Sequence, residues 1–234
     1  DVSLSRPEFY DRLQNGANVT TSQPAPADVM RFWDEALKEF ETVLYLPISS
    51  GLSGSCATAA ALAQDAPYDK RVFVVDNGRV SAPQHRAVLD ALEMAEEGYT
   101  AAEIRTALED ARARMVIYVG VETLENLRRG GRISAATASL GTLLNIKPVL
   151  KFDVGTLDTF KKCRGFSKAR HAMIEALQHD LETVFKEEYD NNEVYLLAAS
   201  SADPETTASW VAEIQAAFPG MELLCDELSL GVSC

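Results

Sequence analysis

The chain has 234 residues, 47% of them hydrophobic and 24% charged, with a formal net charge of −13. That is enough chain for one large or two small domains with a full core, and the composition is that of an ordinary soluble globular protein. The acidic balance argues against nucleic acid as a partner, and no apolar run reaches the roughly 20 residues that cross a bilayer, so no integral membrane segment is expected. Asp1-Val2-Ser3-Leu4 lacks both the basic and the apolar segment of a signal peptide. It also lacks an initiator Met, so part of the chain is expected to have been removed. Cys56, Cys163, Cys225 and Cys234 form no CxxC pair and suit neither a disulfide framework nor a zinc site. Reduced thiols and a cytoplasmic location are therefore expected. His85, His171 and His179 supply no HExxH pattern, so no metal is expected.

In chain order, residues 5–14 read as a short helix with Ser5 as cap and Pro7-Glu8 in its first turn. A polar loop follows over Asn15–Gln23. Pro24–Phe40 reads as a helix with Val29, Phe32, Trp33, Ala36, Leu37 and Phe40 on one face. Thr42–Ile48 is strand-like, 55–64 is an Ala-rich helix, and Arg71–Asp76 has the continuous apolar character of a buried parallel strand. Helices are predicted over 84–97 and 100–113, with Gly98 as the break. Met115–Val121 reads as a strand, and Glu122–Arg129 as a short helix stopped by Gly130-Gly131. Ser134–Leu144 reads as a weak helix. Pro148–Phe152 and Thr156–Lys162 form a hairpin pattern around Val154-Gly155. A long helix is predicted over 166–188 and a strand over Glu193–Ala199. A helix opened by Asp203-Pro204-Glu205 and closed by Gly220 follows, then a strand over Met221–Cys225. This alternation gives an α/β class with mostly parallel sheets flanked by helices. The expected boundary lies near Arg114, giving lobes 1–114 and 115–234. A two-lobed α/β protein commonly takes its ligand beyond the strand C-termini.

The chemistry concentrates in loops. Ser49-Ser50-Gly51-Leu52-Ser53-Gly54-Ser55 joins a strand to a helix. Its glycines permit a tight turn, its serines carry donors, and the following helix offers free N–H groups and its positive dipole end. That combination suits an anion. No Lys follows the second Gly, so it is not a P-loop, nor is it a GxGxxG fingerprint. The alternative is a plain βα loop. Thr20-Thr21-Ser22-Gln23-Pro24 offers further hydroxyls, or simply an N-cap for the helix that follows. Ser53 as a nucleophile would need a base, and no GxSxG elbow or Ser/His/Asp set is evident.

Arg128-Arg129-Gly130-Gly131-Arg132 combines arginine with a turn. Arg can clamp a carboxylate or phosphate with two hydrogen bonds, whereas basic residues at a helix end can merely complement the dipole. Arg132 lies past the expected cap and fits the second explanation less well. Residues 128–170 carry ten Lys/Arg against Asp153 and Asp158, an excess of eight positive charges that leaves about −21 elsewhere. Phe160-Lys161-Lys162-Cys163-Arg164 lies in this stretch. It is either a solvated basic face or a docking face for an acidic partner.

Several motifs in order resemble the DegV family of bacterial fatty-acid-binding proteins. Pro7-Glu8-Phe9-Tyr10 is similar to a PEEFY helix start, and Thr21-Ser22-Gln23-Pro24 to a TSQP loop. Ile48–Ser55 is similar to ISSGLSGT, and Val74-Val75-Asp76 with Val80-Ser81 to VVDS…VS. Thr123–Ser134 is similar to TLEYLKKGGRIS, and Ile146-Lys147-Pro148-Val149-Leu150 to IKPIL. The resemblance implies a two-domain DegV-like fold with a long-chain fatty acid in a tunnel between the domains. It implies a carboxylate held by Thr21 and Ser53, with Ser22 and Gly54 beside them and Arg132 near the head group. It implies a carrier rather than an enzyme, with no cofactor, that presents the bound acyl carboxylate to a separate fatty acid kinase. Arg129, Lys161, Lys162 and Arg164 would then be candidates for docking that kinase.

The family's initial Asp-Ser-Thr strand and final His-Thr-Gly-Pro-Gly motif are not found here, so a first strand and a last segment are expected to be missing. Asn77-Gly78 and Ala82-Pro83 also depart from the family pattern, the latter where the resemblance places part of the tunnel wall. Two other readings stand beside the carrier. One is an enzyme or kinase subunit acting on a small phosphorylated or hydroxylated substrate, with Arg129, Arg132 and Ser49–Ser55 on the phosphate. The other is a regulatory lipid sensor.

Overall fold

The computed structural model describes residues 4–134, 137, 146–153, 155 and 157–227. They form α1 (Arg6–Gln14), α2 (Pro26–Ala36), β1 (Val43–Tyr45), α3 (Ser55–Leu62), β2 (Val72–Val74), α4 (Ser81–Glu96) and α5 (Ala101–Asp110). After a 3₁₀ turn at Ala111–Ala113 come β3 (Ile117–Gly120), α6 (Glu125–Gly130), β4 (Ile146–Phe152) and β5 (Leu157–Arg164). The last elements are α7 (Phe166–Glu182), α8 (Lys186–Asp190), β6 (Leu196–Ser200), α9 (Pro204–Ala217) and β7 (Leu223–Glu227). The helix expected over Ser134–Leu144 lies almost wholly outside the described residues.

The chain divides into two compact units. One, the serine-loop unit, comprises Ser22–Val116 with Asp153–Thr156. The other, the hairpin unit, groups the residues up to Thr21 with Ile117–Phe152 and the chain from Leu157 onward. The chain changes unit between Val116 and Ile117. The first 21 residues, however, join the C-terminal part and not the lobe expected over 1–114.

In the serine-loop unit β1 and β2 pair in parallel, Val43 with Val72 through Tyr45 with Val74. The strand period of two divides their side chains between two helical layers. Val43, Tyr45, Val72 and Val74 pack with Val29 and Trp33 of α2 and Ala59 of α3. Leu44, Leu46 and Val75 pack with Ala87 and Ala91 of α4 and Ile104 and Leu108 of α5. α5 is started by a capping box in which Thr100 Oγ1 accepts from the Glu103 backbone N–H and Glu103 reaches back. That reciprocal pair satisfies two otherwise orphaned donors.

α2 departs from the predicted helix at both ends. It starts at Pro26 and stops at Ala36. Within it Val29 and Trp33 are buried and Phe32 is 67% exposed, while Phe40, beyond the end of the helix, is 62% exposed. Val29, Trp33 and Leu37 follow the i, i+4 stripe that faces the sheet, and Phe32 falls beside it. The Arg31 guanidinium sits 5.2 Å from its ring centroid.

The hairpin unit contains an antiparallel sheet in the order β3-β4-β5. The expected hairpin is present as β4 and β5, and β3 extends it on the β4 side. Pro148 pairs with Lys162 at the start of β4, before the β3 ladder begins at Val149. A proline is tolerated there because no donor is needed from it. β6 and β7 form a separate parallel pair. α7 serves both sheets. Its Ala169, Ala172 and Met173 pack with Val149 and Cys163 of the antiparallel sheet. Its Ile174 and Leu181 pack with Leu196 and Ala198 of β6 and Ile214 of α9. The helix predicted over 166–188 breaks at Thr183, whose φ and ψ of −126° and −73° leave the helical region.

Candidate functional site

β1 and β2 run parallel, so their C-terminal ends deliver two loops to one edge of the serine-loop unit. The loop after β1 is Ser49–Ser55, and β2 is followed by Val75 and Asp76. Ser49 is fully buried and organises its loop. Its N–H donates to the Arg79 carbonyl at 2.8 Å, and its own carbonyl accepts from Leu52 and Ser53 at 3.0 and 3.2 Å. Its Oγ accepts from the Gly51 N–H at 3.2 Å. Gly51 has no room for a side chain: a Cβ there would clash with the Gly155 backbone in the same unit.

Ser50 faces the β2 loop. Its N–H donates to Asp76 Oδ1 at 3.3 Å, and its Oγ accepts from Arg112 Nη2 at 3.1 Å. Arg112 Nη1 also donates to Asp76 Oδ2 at 2.6 Å. Burial pushes the Asp76 carboxyl up, but hydrogen bonds from Ser50 and Arg112, with the Arg112 charge, outweigh it and hold the group below its ordinary value. Asp76 is therefore ionised at neutral pH.

Ser53 is half-buried just before α3. Its N–H is taken up by Ser49, and its Oγ accepts from the Ser55 N–H at 3.1 Å. A hydroxyl that accepts in this way still has its proton to donate. Gly54 occupies the N-cap position of α3 with no side-chain cap. The dipole end of α3 is thus left for Ser53 and the backbone to serve. Cys56, one residue into that helix, does not add a thiolate. Burial and the nearby Asp76 push its thiol up, Arg112 opposes them, and Glu109 pushes it further up.

The Thr-Ser-Gln-Pro loop joins this arrangement through Gln23. Its Nε2 donates to Thr58 Oγ1 on α3 at 3.1 Å. A Cβ on Gly54 would lie 3.2 Å from its Oε1, so glycine keeps that approach open. The hydroxyls of this loop do not cap α2: the N-cap is Ala25, it makes no side-chain cap bond, and Pro26 opens the helix. Ser22, Ser53 and Gly54 fall in the serine-loop unit, whereas Thr21 and Arg132 group with the hairpin unit. Thr21 and Ser22 are exposed. Arg132 is half-buried and donates to the Gly130 carbonyl. It follows Gly131, whose φ of +70° ends α6 as the Gly-Gly pattern predicts.

The basic stretch is partly neutralised. Arg128 and Arg129 both pair with Glu125. Lys147 pairs with Glu122, Lys161 with Glu175 at 3.3 Å and Arg170 with Glu213 at 3.0 Å. Lys162 and Arg164 are exposed on β5 and Lys168 on the first turn of α7. None of these three makes an ion pair among the described residues. Lys161, Lys162, Arg164 and Lys168 line one open groove that also carries His171 and the acidic Glu175.

No cluster of His, Cys, Asp or Glu among the described residues could hold a metal ion. No described helix is long and apolar enough to cross a membrane.

The loop sequences and their arrangement match a known family. The model described as "Uncharacterised protein, DegV family" matches residues 1–233. The chain belongs to the DegV family. A DegV domain-containing protein of Clostridium perfringens is 30% identical over 237 residues, covering 98% of this chain and 78% of its own. Another, from Listeria innocua, is 32% identical over 222 residues, covering 94% and 75%. Among solved structures, a fatty-acid-binding DegV family protein of Thermus thermophilus superposes with a TM-score of 0.79 at 35% identity, covering 96% of this chain and 78% of its own. The fatty-acid-binding DegV of Bacillus subtilis gives 0.77 at 28%, covering 97% and 78%.

Two features of this DegV chain escaped the sequence reading. Arg112 lies 62 residues from the Ser50 it contacts, and no local pattern marks it. Asn77-Gly78, a departure from the family pattern, is a turn with its own logic. Asn77 Oδ1 accepts from the Arg79 N–H at 3.0 Å, and Gly78 supplies a φ of +68°. Asn is suited to such a turn because its side chain bonds the backbone two residues on.

Proposed function

We propose that this chain binds a long-chain fatty acid through its carboxylate and presents it, unreacted, to a separate fatty acid kinase. The observation that carries this reading is Ser53. Its hydroxyl accepts from the Ser55 N–H and keeps a proton for an anion, at the start of α3. Gly54 follows Ser53 in the same loop, Ser22 precedes the Gln23 that bonds Thr58 of α3, and the family resemblance adds Thr21 and Arg132 as head-group donors. Fatty-acid binding by the Thermus thermophilus and Bacillus subtilis relatives supports the ligand class. The energetics agree. An acyl chain gains about 0.8 kcal/mol per buried CH₂, so the head-group donors need only orient the carboxylate and keep it hydrogen-bonded. Organic extracts of the purified protein, read by mass spectrometry, should contain a long-chain fatty acid at about one per chain. No lipid in the extract, together with no thermal shift on adding oleate or palmitate, would overturn the reading.

Kinase docking is assigned to the basic groove of β5 and α7. β5 is the last strand in its sheet order, and charged residues on such a strand also discourage edge-to-edge pairing. Charge reversal separates the two roles, since Glu guards an edge as well as Lys does. Lys161→Glu, Lys162→Glu and Arg164→Glu together should leave oleate binding unchanged. They should lower kinase-dependent acyl phosphate formation by about tenfold or more, because like charges across an interface oppose encounter. Unchanged turnover would move the docking surface elsewhere.

A further inference from the structure

We propose that Arg112 is a positioning residue that makes the Ser49–Ser55 loop receptive to a carboxylate, by neutralising Asp76 and holding Ser50 away from the ligand. The inference rests on the reading that this loop takes the fatty-acid carboxylate.

A loop that receives an anion stands beside two acidic groups. Asp76 Oδ1 accepts from the Ser50 N–H at 3.3 Å. Glu109 Oε1 accepts from the Asp76 N–H, also at 3.3 Å. Left alone, these carboxylates would repel an incoming one, and partial burial would strengthen the repulsion. Asp76 is 25% exposed and Arg112 33% exposed, so water screens them only in part. Arg112 lies against both members of the contact. Its Nη1 holds Asp76 Oδ2 at 2.6 Å and its Nη2 holds Ser50 Oγ at 3.1 Å. The planar guanidinium fixes the two donors in one frame, which an ammonium group would not.

Two consequences follow. The Ser50 N–H donates to Asp76 and its Oγ accepts from Arg112, and its side chain also hydrogen-bonds the Asp76 carboxylate, so both its donors are engaged and Ser53 is left as the ligand-facing hydroxyl of the loop. The cluster of Asp76, Glu109 and Arg112 also carries one net negative charge in place of two. Replacing Arg112 restores the second. Replacing Asp76 removes the first, and replacing both returns the original total.

Charge balance predicts a pattern that a merely structural role would not. Affinities for oleate and for uncharged oleyl alcohol are measured at neutral pH on the delipidated chain and on Arg112→Gln, Asp76→Asn and the double variant. The readout is the oleate-to-alcohol affinity ratio. It should fall about tenfold in Arg112→Gln, a size set by one uncompensated, partly screened unit charge nearby. It should rise in Asp76→Asn and return close to the original value in the double variant. If Arg112→Gln fails to fold, the rise in Asp76→Asn carries the test. A ratio that stays constant while the unaltered protein binds oleate overturns the role of Arg112 and leaves the fatty-acid reading standing. Failure of the unaltered protein to bind either lipid overturns both.

Discussion

Trp33→Ala should lower the unfolding free energy of the serine-loop unit by about 3–5 kcal/mol, the usual cost of emptying a large aromatic site in a core. Trp33 is 1% exposed. Its ring meets Tyr45 of β1 edge-on at 5.5 Å and Tyr68 at 5.2 Å between centroids. Tyr68 is tied back to α2 through a 2.9 Å hydrogen bond from its hydroxyl to Asp34 Oδ1. The indole therefore joins helix, strand and connecting loop at one point. Its removal forfeits two aromatic pairs, each worth about 0.5–1.5 kcal/mol beyond area, along with the buried surface. A domain typically has about 5–15 kcal/mol in hand, so the loss is a large fraction. Trp33→Phe should cost markedly less. The Trp33 Nε1 is buried with no hydrogen-bond partner among the described residues, and Phe removes that orphan donor while keeping a ring. Urea unfolding followed by circular dichroism checks both. Equal losses for Ala and Phe would show that the polar edge, and not the filled volume, matters at this position. The effect should reach the loops as well, because α2 begins three residues after the Gln23 that bonds Thr58 on α3.

What the sequence revealed follows from what is local. Caps and breakers are local chemistry, so Gly98, Gly131 and the Asp203-Pro204 start were legible, and Asp203 does accept from the Thr206 N–H at 2.9 Å. Loop composition is also local, and the serine and glycine content of 49–55 was enough to suggest an anion. Sheet membership is not local. β3 has the apolar run of a buried strand, yet its partner is antiparallel β4, pairing Ile117 with Phe152, and nothing within residues 115–121 specifies that. Helical faces were legible only to the nearest residue or two. Phe32 and Phe40 have the hydrophobicity of core residues, but Phe32 falls beside the stripe through Val29 and Trp33, and Phe40 lies beyond the end of α2 at Ala36. The electrostatics of the candidate site were the least legible part. Arg112 sits in a helix end that reads as ordinary surface, and its meaning comes from Asp76 and Ser50, distant in sequence.

Ser53→Ala should weaken oleate binding by about 10- to 100-fold, the equivalent of one hydrogen bond to a charged group, about 1.5–3 kcal/mol. The alanine removes the hydroxyl proton that the proposal gives to the ligand carboxylate. It also removes the acceptor of the Ser55 N–H at 3.1 Å, which resembles the loss of a helix cap and should cost about 1 kcal/mol of stability. The two effects are separable. The stability loss belongs to the free protein and appears in its melting temperature. The binding loss should be confined to the charged ligand, so oleyl alcohol should bind within a few-fold of its original affinity. Ser53→Thr keeps both the acceptor and the donor and should restore most of the oleate affinity, provided its methyl group fits the half-buried position. If Ser53→Ala binds oleate as tightly as the unaltered chain, the carboxylate is held elsewhere. The hydroxyl would then be only a brace for the start of α3, and the anion-receiving reading of the whole Ser49–Ser55 loop, Arg112 included, would fall with it.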